Sequence, residues 1–185
     1  MNTFTLRPAL ATFTVLGLVA MAGCKSGDAE TAPADQIAYN DYESVEGWMP
    51  TPESLTRERA HSGSHSVKVD GAVEYALGYN LPLGKALDHK PHKIHVEAWG
   101  FMTDPKSAAR LGFQLYDPAQ SKEVFGDGLD YTSAVQTPGK WVKISKDITL
   151  PATTASNLEM KVFLWRASAS SPAYLDDLRI SEVTQ

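Results

Sequence analysis

From Ile37 onward, apolar and polar residues alternate in short runs broken by Gly, Pro, Asn and Asp, and no long stretch carries a helical period. The pattern predicts ten strands, at about 37–44, 54–59, 65–70, 73–79, 92–102, 109–117, 121–126, 140–149, 157–167 and 173–183. Ten short strands joined by turns point to an all-β body over 37–185, an antiparallel two-sheet sandwich of jelly-roll type. Asp127 to Gly139, polar and containing two glycines and a proline, is predicted as the longest loop.

Because side chains alternate across a strand, the pattern also assigns faces. Ile94, Val96, Ala98 and Gly100 form one side of a strand; His95, Glu97, Trp99 and Phe101 form the other. In the next strand Leu111, Phe113 and Leu115 point inward and Gly112, Gln114 and Tyr116 outward. Strand 157–167 repeats the scheme, with Leu158, Met160, Val162 and Leu164 inside and Glu159, Lys161, Phe163 and Trp165 outside. If these three strands share a sheet, its outer face carries His95, Glu97, Trp99, Gln114, Tyr116, Lys161 and Trp165.

Two readings of that face stand side by side. In one, loops or the linker cover the aromatics, and the residues are structural. In the other, indole and phenol rings stack on the apolar C–H face of a sugar while carboxylate, amide and amine groups bond its hydroxyls, as expected of an aromatic patch rimmed by polar groups. Trp48 and Trp141 each sit beside a glycine turn, in Glu46-Gly47-Trp48 and Gly139-Lys140-Trp141, and are assigned to structure.

The amino-terminal end changes the picture of where the protein works. Arg7, an apolar run and Leu18-Val19-Ala20-Met21-Ala22-Gly23-Cys24 have the order of a signal peptide, and the run is too short to span a bilayer. The motif resembles a bacterial lipobox, which implies cleavage of 1–23, a diacylglycerol thioether on Cys24 and amide-linked acyl chains such as palmitate. Cys24 is the one cysteine of the chain, so it is expected to be an anchor and not a redox or catalytic group. Residues 24–36, small and polar, read as a flexible tether. Lys25 after the cysteine resembles the pattern of outer-membrane sorting, and Asp28 and Glu30 resemble surface-export signals. The expectation is a monomeric protein of the cell envelope, lipid-anchored through Cys24 at the outer membrane.

Charge and motif content narrow the chemistry. With a formal net charge of −5 there is no basic patch for nucleic acid. Sandwich glycosidases need two carboxylates facing each other across the sugar, and no predicted strand carries a Glu-x-Asp motif. Asp127 and Asp130 sit in a glycine-containing loop, and adjacent Asp176 and Asp177 are expected on opposite faces. There is no Gly-x-Ser-x-Gly elbow. His61, His65, His89, His92 and His95 have spacings a metal can use, but their Gly and Pro neighbours favour exposed turns.

Four motifs then occur in order. They are Tyr42-Glu43 with Gly47-Trp48, the run Ala60-His61-Ser62-Gly63-Ser64-His65-Ser66-Val67-Lys68-Val69, Trp141-Val142-Lys143-Ile144, and Tyr174-Leu175-Asp176-Asp177-Leu178-Arg179-Ile180. Over about 41–183 the body resembles the CenC-like carbohydrate-binding modules of the galactose-binding-like β-sandwich superfamily, with Tyr42 where that family usually has Phe. The resemblance implies a structural calcium ion held by Glu43, the turn from Ser62 to His65, and Asp176 or Asp177. Ca²⁺ takes six to eight oxygens, which such residues supply; the plainer alternative is a solvated Asp-Asp pair at a strand end. Three functions stay open: glycan binding without catalysis, a structural or protein-interaction module of the envelope, and a small polysaccharide-active enzyme.

Overall fold

The computed structural model describes Met1 and residues 33–184. The rest of the leader (2–23), Cys24 and the tether as far as residue 32 lie outside the described residues. Within 33–184, the strands are β1 (Gln36–Asn40), β2 (Leu55–Thr56), β3 (Ser66–Val69), β4 (Tyr79–Pro82), β5 (Lys93–Met102), β6 (Arg110–Asp117), β7 (Lys122–Asp130), β8 (Trp141–Thr149), β9 (Glu159–Trp165) and β10 (Ala173–Glu182). Single helical turns α1 (Leu83–Ala86) and α2 (Tyr131–Ala134) follow β4 and β7.

The strands form two antiparallel sheets. Six strands run in the order β2-β3-β10-β5-β8, with β1 also on β10, and four run β4-β9-β6-β7. The inward positions read from the alternation meet between the sheets: Ile94, Val96 and Ala98 from β5, Leu111, Phe113 and Leu115 from β6, and Met160, Val162 and Leu164 from β9 are all buried, as is Leu158 just before it. Burying such side chains contributes about 1.5–3 kcal/mol each, and with the one cysteine outside this body, packing alone holds the sheets together. Gly100 completes the inward row of β5 for a reason of space. A Cβ there would come within 3.1–3.2 Å of Val135, Ile144 and the ring of Tyr131, so the glycine leaves room for α2, whose Tyr131 hydroxyl donates to the Tyr174 carbonyl at 3.0 Å.

Several predicted boundaries move. Segment 37–44 is extended only to Asn40, because Tyr42 adopts φ 62° and turns the chain. In place of a strand at 73–79 there is a loop that touches β9 through the Tyr75–Trp165 bridge before β4 begins. The predicted loop 127–139 is mostly ordered: β7 runs to Asp130 opposite Arg110, and α2 follows at once.

Candidate functional site

The seven residues of the proposed aromatic face are not brought together. β5 lies in the six-stranded sheet, whereas β6 and β9 are neighbours in the four-stranded sheet, so His95, Glu97 and Trp99 face one side of the sandwich and Gln114, Tyr116, Lys161 and Trp165 the other. Period-two alternation gives the side of a strand, not its partner strand, and all three strands show the same period.

On the six-stranded side the polar members pair with β8. His95 Nδ1 is 2.6 Å from Asp147, and Lys143 Nζ is 2.8 Å from Glu97. Trp99 lies beneath His61, ring centroids 3.7 Å apart and planes 12° from parallel. Phe101 packs on Trp141 and Tyr174, and the Arg59 guanidinium sits 4.7 Å over the Phe101 ring. The segment 57–65 thus covers these aromatics, and they are structural here. Trp141 has the packed role expected of it, but Trp48 does not, being 88% exposed.

What holds 57–65 down is a carboxylate clasp. A β-bulge in β10 sets Asp177 and Leu178 against one residue of β5, with Asp177 at φ 49°. Asp176 and Asp177 therefore both reach the same turn, contrary to the expectation of opposite faces. Asp176 Oδ2 accepts the His61 and Ser62 amides at 2.7 and 3.2 Å, and burial raises its carboxyl to about 6 in spite of them. Asp177 Oδ1 accepts the Ser62 and Tyr39 hydroxyls, and its Oδ2 is 2.6 Å from His61 Nδ1. From the other end of the turn, Glu43 Oε1 accepts the Ser64 and His65 amides, and Oε2 meets the Ser64 hydroxyl and His65 Nδ1. His65, expected in an exposed turn, is 6% exposed, its Nε2 accepting from Arg57 at 2.8 Å.

Glu43, Ser62, His65, Asp176 and Asp177 therefore gather on one turn, as the resemblance implies. As arranged they do not fit a calcium cage. Each carboxylate oxygen of Glu43, Asp176 and Asp177 already faces N–H or O–H groups or a histidine nitrogen, and among the described residues no three His, Cys, Asp or Glu converge closely enough to hold an ion.

The four-stranded side is open. Outward positions there are Asn80 on β4, Lys161, Phe163 and Trp165 on β9, and Gln114 and Tyr116 on β6. Two adjoining hollows of about 370 and 270 Å³ share Gln114 and Phe163, forming one groove across the sheet. Its wall is Tyr75, 58% exposed, whose ring is parallel to Trp165 within 8° at 6.2 Å and edge-on to Phe163 at 5.7 Å. The floor is low because Gly112 lies under Phe163; a Cβ there would be 2.9 Å from the ring.

Hydrogen-bonding groups line the groove at Gln114, Lys161, Glu123 and Arg110, and others bond to its lining residues from outside. Trp165 Nε1–H donates to Glu74 at 3.1 Å, and Arg166 donates to the same carboxylate at 2.9 Å; together they hold it below its ordinary range. Gln114 donates to Glu123, and Lys161 sits 3.9 Å over the Tyr116 ring. Arg110 pairs with Asp130 at 2.7 Å. Sequence reasoning left out Tyr75 and Glu74, placed in a predicted strand, and Glu123 on β7. Phe163 carried the signal, an outward aromatic between Lys161 and Trp165, but was not chosen.

A family model described as a carbohydrate binding domain (CBM_4_9) matches residues 34–171. The chain belongs to this carbohydrate-binding family. The match ends just before the Asp176-Asp177 strand. No curated protein matches the chain. Among solved structures, the CBM22-1 xylan-binding domain of Paenibacillus barcinonensis Xyn10C superposes with TM-score 0.51 at 17% identity over 82% of this chain and 96% of that one. The CBM22-1-GH10 modules of Clostridium thermocellum Xyn10B, solved with xylohexaose, give TM-score 0.53 at 14% identity over 82% and 29%. At these identities the likeness establishes the fold, a two-sheet β-sandwich. Family membership makes the body a non-catalytic, carbohydrate-binding module.

Proposed function

We propose that the groove over β4, β9 and β6 is where the polysaccharide lies, with Trp165 and Tyr75 as its stacking platform and Gln114, Lys161, Glu74 and Glu123 as hydroxyl partners. One observation carries this reading: the near-parallel Tyr75–Trp165 pair is uncovered and bordered by amide, amine and carboxylate groups, whereas the corresponding rings on the other sheet lie under 57–65. Each sugar hydroxyl exchanges water for protein and contributes only about 0.5–1.5 kcal/mol net, so a dissociation constant between about 1 μM and 1 mM is expected.

Xylan is the first ligand to test, since solved structures of this fold are named for it. Retention of the protein in xylan-containing native gels, compared with cellulose and galactan gels, measures it. Loss of retention in Trp165→Ala and Tyr75→Ala supports the groove; retention unchanged in both removes it.

The leader supports an envelope placement, in which lipidated Cys24 holds a monomeric module at the outer membrane and presents it to glycan. Membrane fractionation of Cys24→Ala cells tests this, and an unchanged membrane-bound fraction overturns it. Calcium at the clasp is a separate proposal, supported by the gathering of Glu43, Asp176 and Asp177 on one turn; an ion there would have to displace the amide and hydroxyl donors these carboxylates now hold. Melting in calcium against EDTA decides it, and identical midpoints dismiss the ion.

A further inference from the structure

Beside the groove, where the β1–β10 edge of one sheet meets the β4 edge of the other, a second cavity of about 300 Å³ opens between the sheets. That is the lower end of the size range of ligand pockets. Its walls are Ala38, Tyr39, Tyr42, Tyr79, Leu178 and Ile180, and its mouth is shared with the groove, because Gly78 and Tyr79 line both.

Three features set the chemistry of an occupant. No charged side chain is among the described lining residues, so the occupant is neutral. Polar capacity is confined to the Asn40 amide nitrogen and the Tyr79 hydroxyl, since the Tyr39 hydroxyl already donates to Asp177 at 2.9 Å and the Asn40 side-chain oxygen accepts the Tyr42 amide at 2.7 Å. Finally, Tyr42 is fully buried, held at φ 62°, and its hydroxyl has no hydrogen-bond partner. An unmet buried hydroxyl is unfavourable, and a bulky residue in the left-handed region adds strain of the kind that collects at ligand clamps.

These features discriminate between two kinds of ring. A pyranose brings several hydroxyls, most of which would enter this cavity without partners, each at a similar cost. A planar aromatic ring with one or two oxygens presents apolar faces to the tyrosines, in the offset or edge-on contacts such rings favour, and asks for only one or two hydrogen bonds.

We propose that this cavity receives an aromatic group, aryl or arylacyl, carried as a substituent on the glycan lying in the groove. The attachment to glycan rests on the groove reading above; the cavity's preference for a neutral aryl group does not. Because the two sites share a mouth at Gly78 and Tyr79, a glycan and its substituent can be held at once, and their linkage raises affinity through effective concentration.

The test uses three probes on the purified protein, followed by amide chemical shifts: methyl 4-hydroxycinnamate, xylohexaose, and a xylo-oligosaccharide bearing a 4-hydroxycinnamoyl ester. The free aryl ester is expected to shift Ala38, Gly78, Tyr79 and Leu178, and Ala38→Trp, or the milder Ala38→Leu, to weaken it at least tenfold while xylohexaose binding stays unchanged. Trp165→Ala should do the converse. The esterified oligosaccharide should bind at least tenfold more tightly than xylohexaose in wild type and lose that gain in Ala38→Trp. Absence of shifts at the cavity residues, or shifts insensitive to both Ala38 variants, overturns the proposal. Aryl binding intact with no xylohexaose binding supports the cavity and counts against the groove reading; an ester that adds nothing overturns the link between the two sites.

Discussion

Trp99 and Trp165 occupy outward positions on alternating strands of the two sheets, and both are half-buried, yet only one of them is covered. The Trp99 ring has His61 flat against it at 3.7 Å, while the nearest parallel ring to Trp165 is Tyr75 at 6.2 Å, too far for the same face contact. The difference is made by distant chain. Glu43, Asp176 and Asp177 tie the 57–65 segment over one sheet, whereas the loop before β4 contributes Tyr75 to the rim of the other and leaves its centre open. The same residue types thus become packing on one face and an open aromatic surface on the other, according to whether a loop is fastened across them.

Replacing each tryptophan by alanine is the most direct way to break this comparison. Trp99→Ala removes the surface on which His61 stacks and loosens the covering segment, so it is expected to destabilise the fold by about 2–4 kcal/mol, near the range for large-to-small changes at packed aromatics. Xylan retention, measured where the variant is still folded, should be unchanged. Urea midpoints and native-gel retention read both; lost retention with an unchanged midpoint would reverse the roles of the two faces.

Trp165→Ala is the mirror experiment with a smaller effect on stability. Its ring contacts Tyr75 at the groove wall and donates one exposed hydrogen bond to Glu74, so a change within about 1 kcal/mol is expected. Retention should fall at least tenfold, about 1.4 kcal/mol. A loss of stability matching that of Trp99→Ala would make Trp165 a packing residue and empty the comparison.

The sandwich and its inward faces were legible in the alternation, because burial on one side of a strand imposes a period the sequence must display. The pairing of β6 with β9, and not with β5, was not legible: strand order depends on long connections whose routes leave no periodic trace. Coverage was likewise hidden. Nothing in Trp99-Gly100-Phe101 announces that a turn some forty residues earlier folds over it, and the bulge that sends Asp176 and Asp177 to that turn is a backbone event at one position. The clasp residues were found through the family resemblance, the groove residues Gln114, Tyr116, Lys161 and Trp165 through alternation, and Tyr75 through neither, since it lies in a loop read as strand.

Gly112→Ala sharpens the account of the open face. The new methyl group would lie 2.9 Å from the far edge of the Phe163 ring, which can tilt toward solvent because only the exposed Tyr75 ring packs edge-on to it there. The fold should lose no more than about 1 kcal/mol, while the displaced ring raises the floor beneath the sugar and lowers affinity for xylohexaose several-fold, as titration calorimetry would measure. Unchanged affinity would mean that the sugar does not lie over Phe163.

The smallest effect concerns the fastening of the covered face. Burial pushes the Glu43 carboxyl up, but His65, Ser64 and the two amides outweigh it and bring it down to about 2. A carboxyl lowered in the fold contributes stability that is present above its ordinary value near 4.5 and lost as pH falls toward 2. Asp176 runs the other way: burial raises it to about 6, so its contribution is present below about 3.8 and lost as pH rises through 6. Glu43→Gln keeps the shape and removes only the first titration. Asp176 titrates in both proteins, so the stability deficit of the variant relative to wild type should shrink between about 4.5 and 2. Glu43 keeps 30% of its side-chain exposure, and solvent screening makes the deficit modest. Urea midpoints across that range read the difference directly; a deficit that does not change with pH would show that the charge of Glu43 plays no part in holding the turn over Trp99.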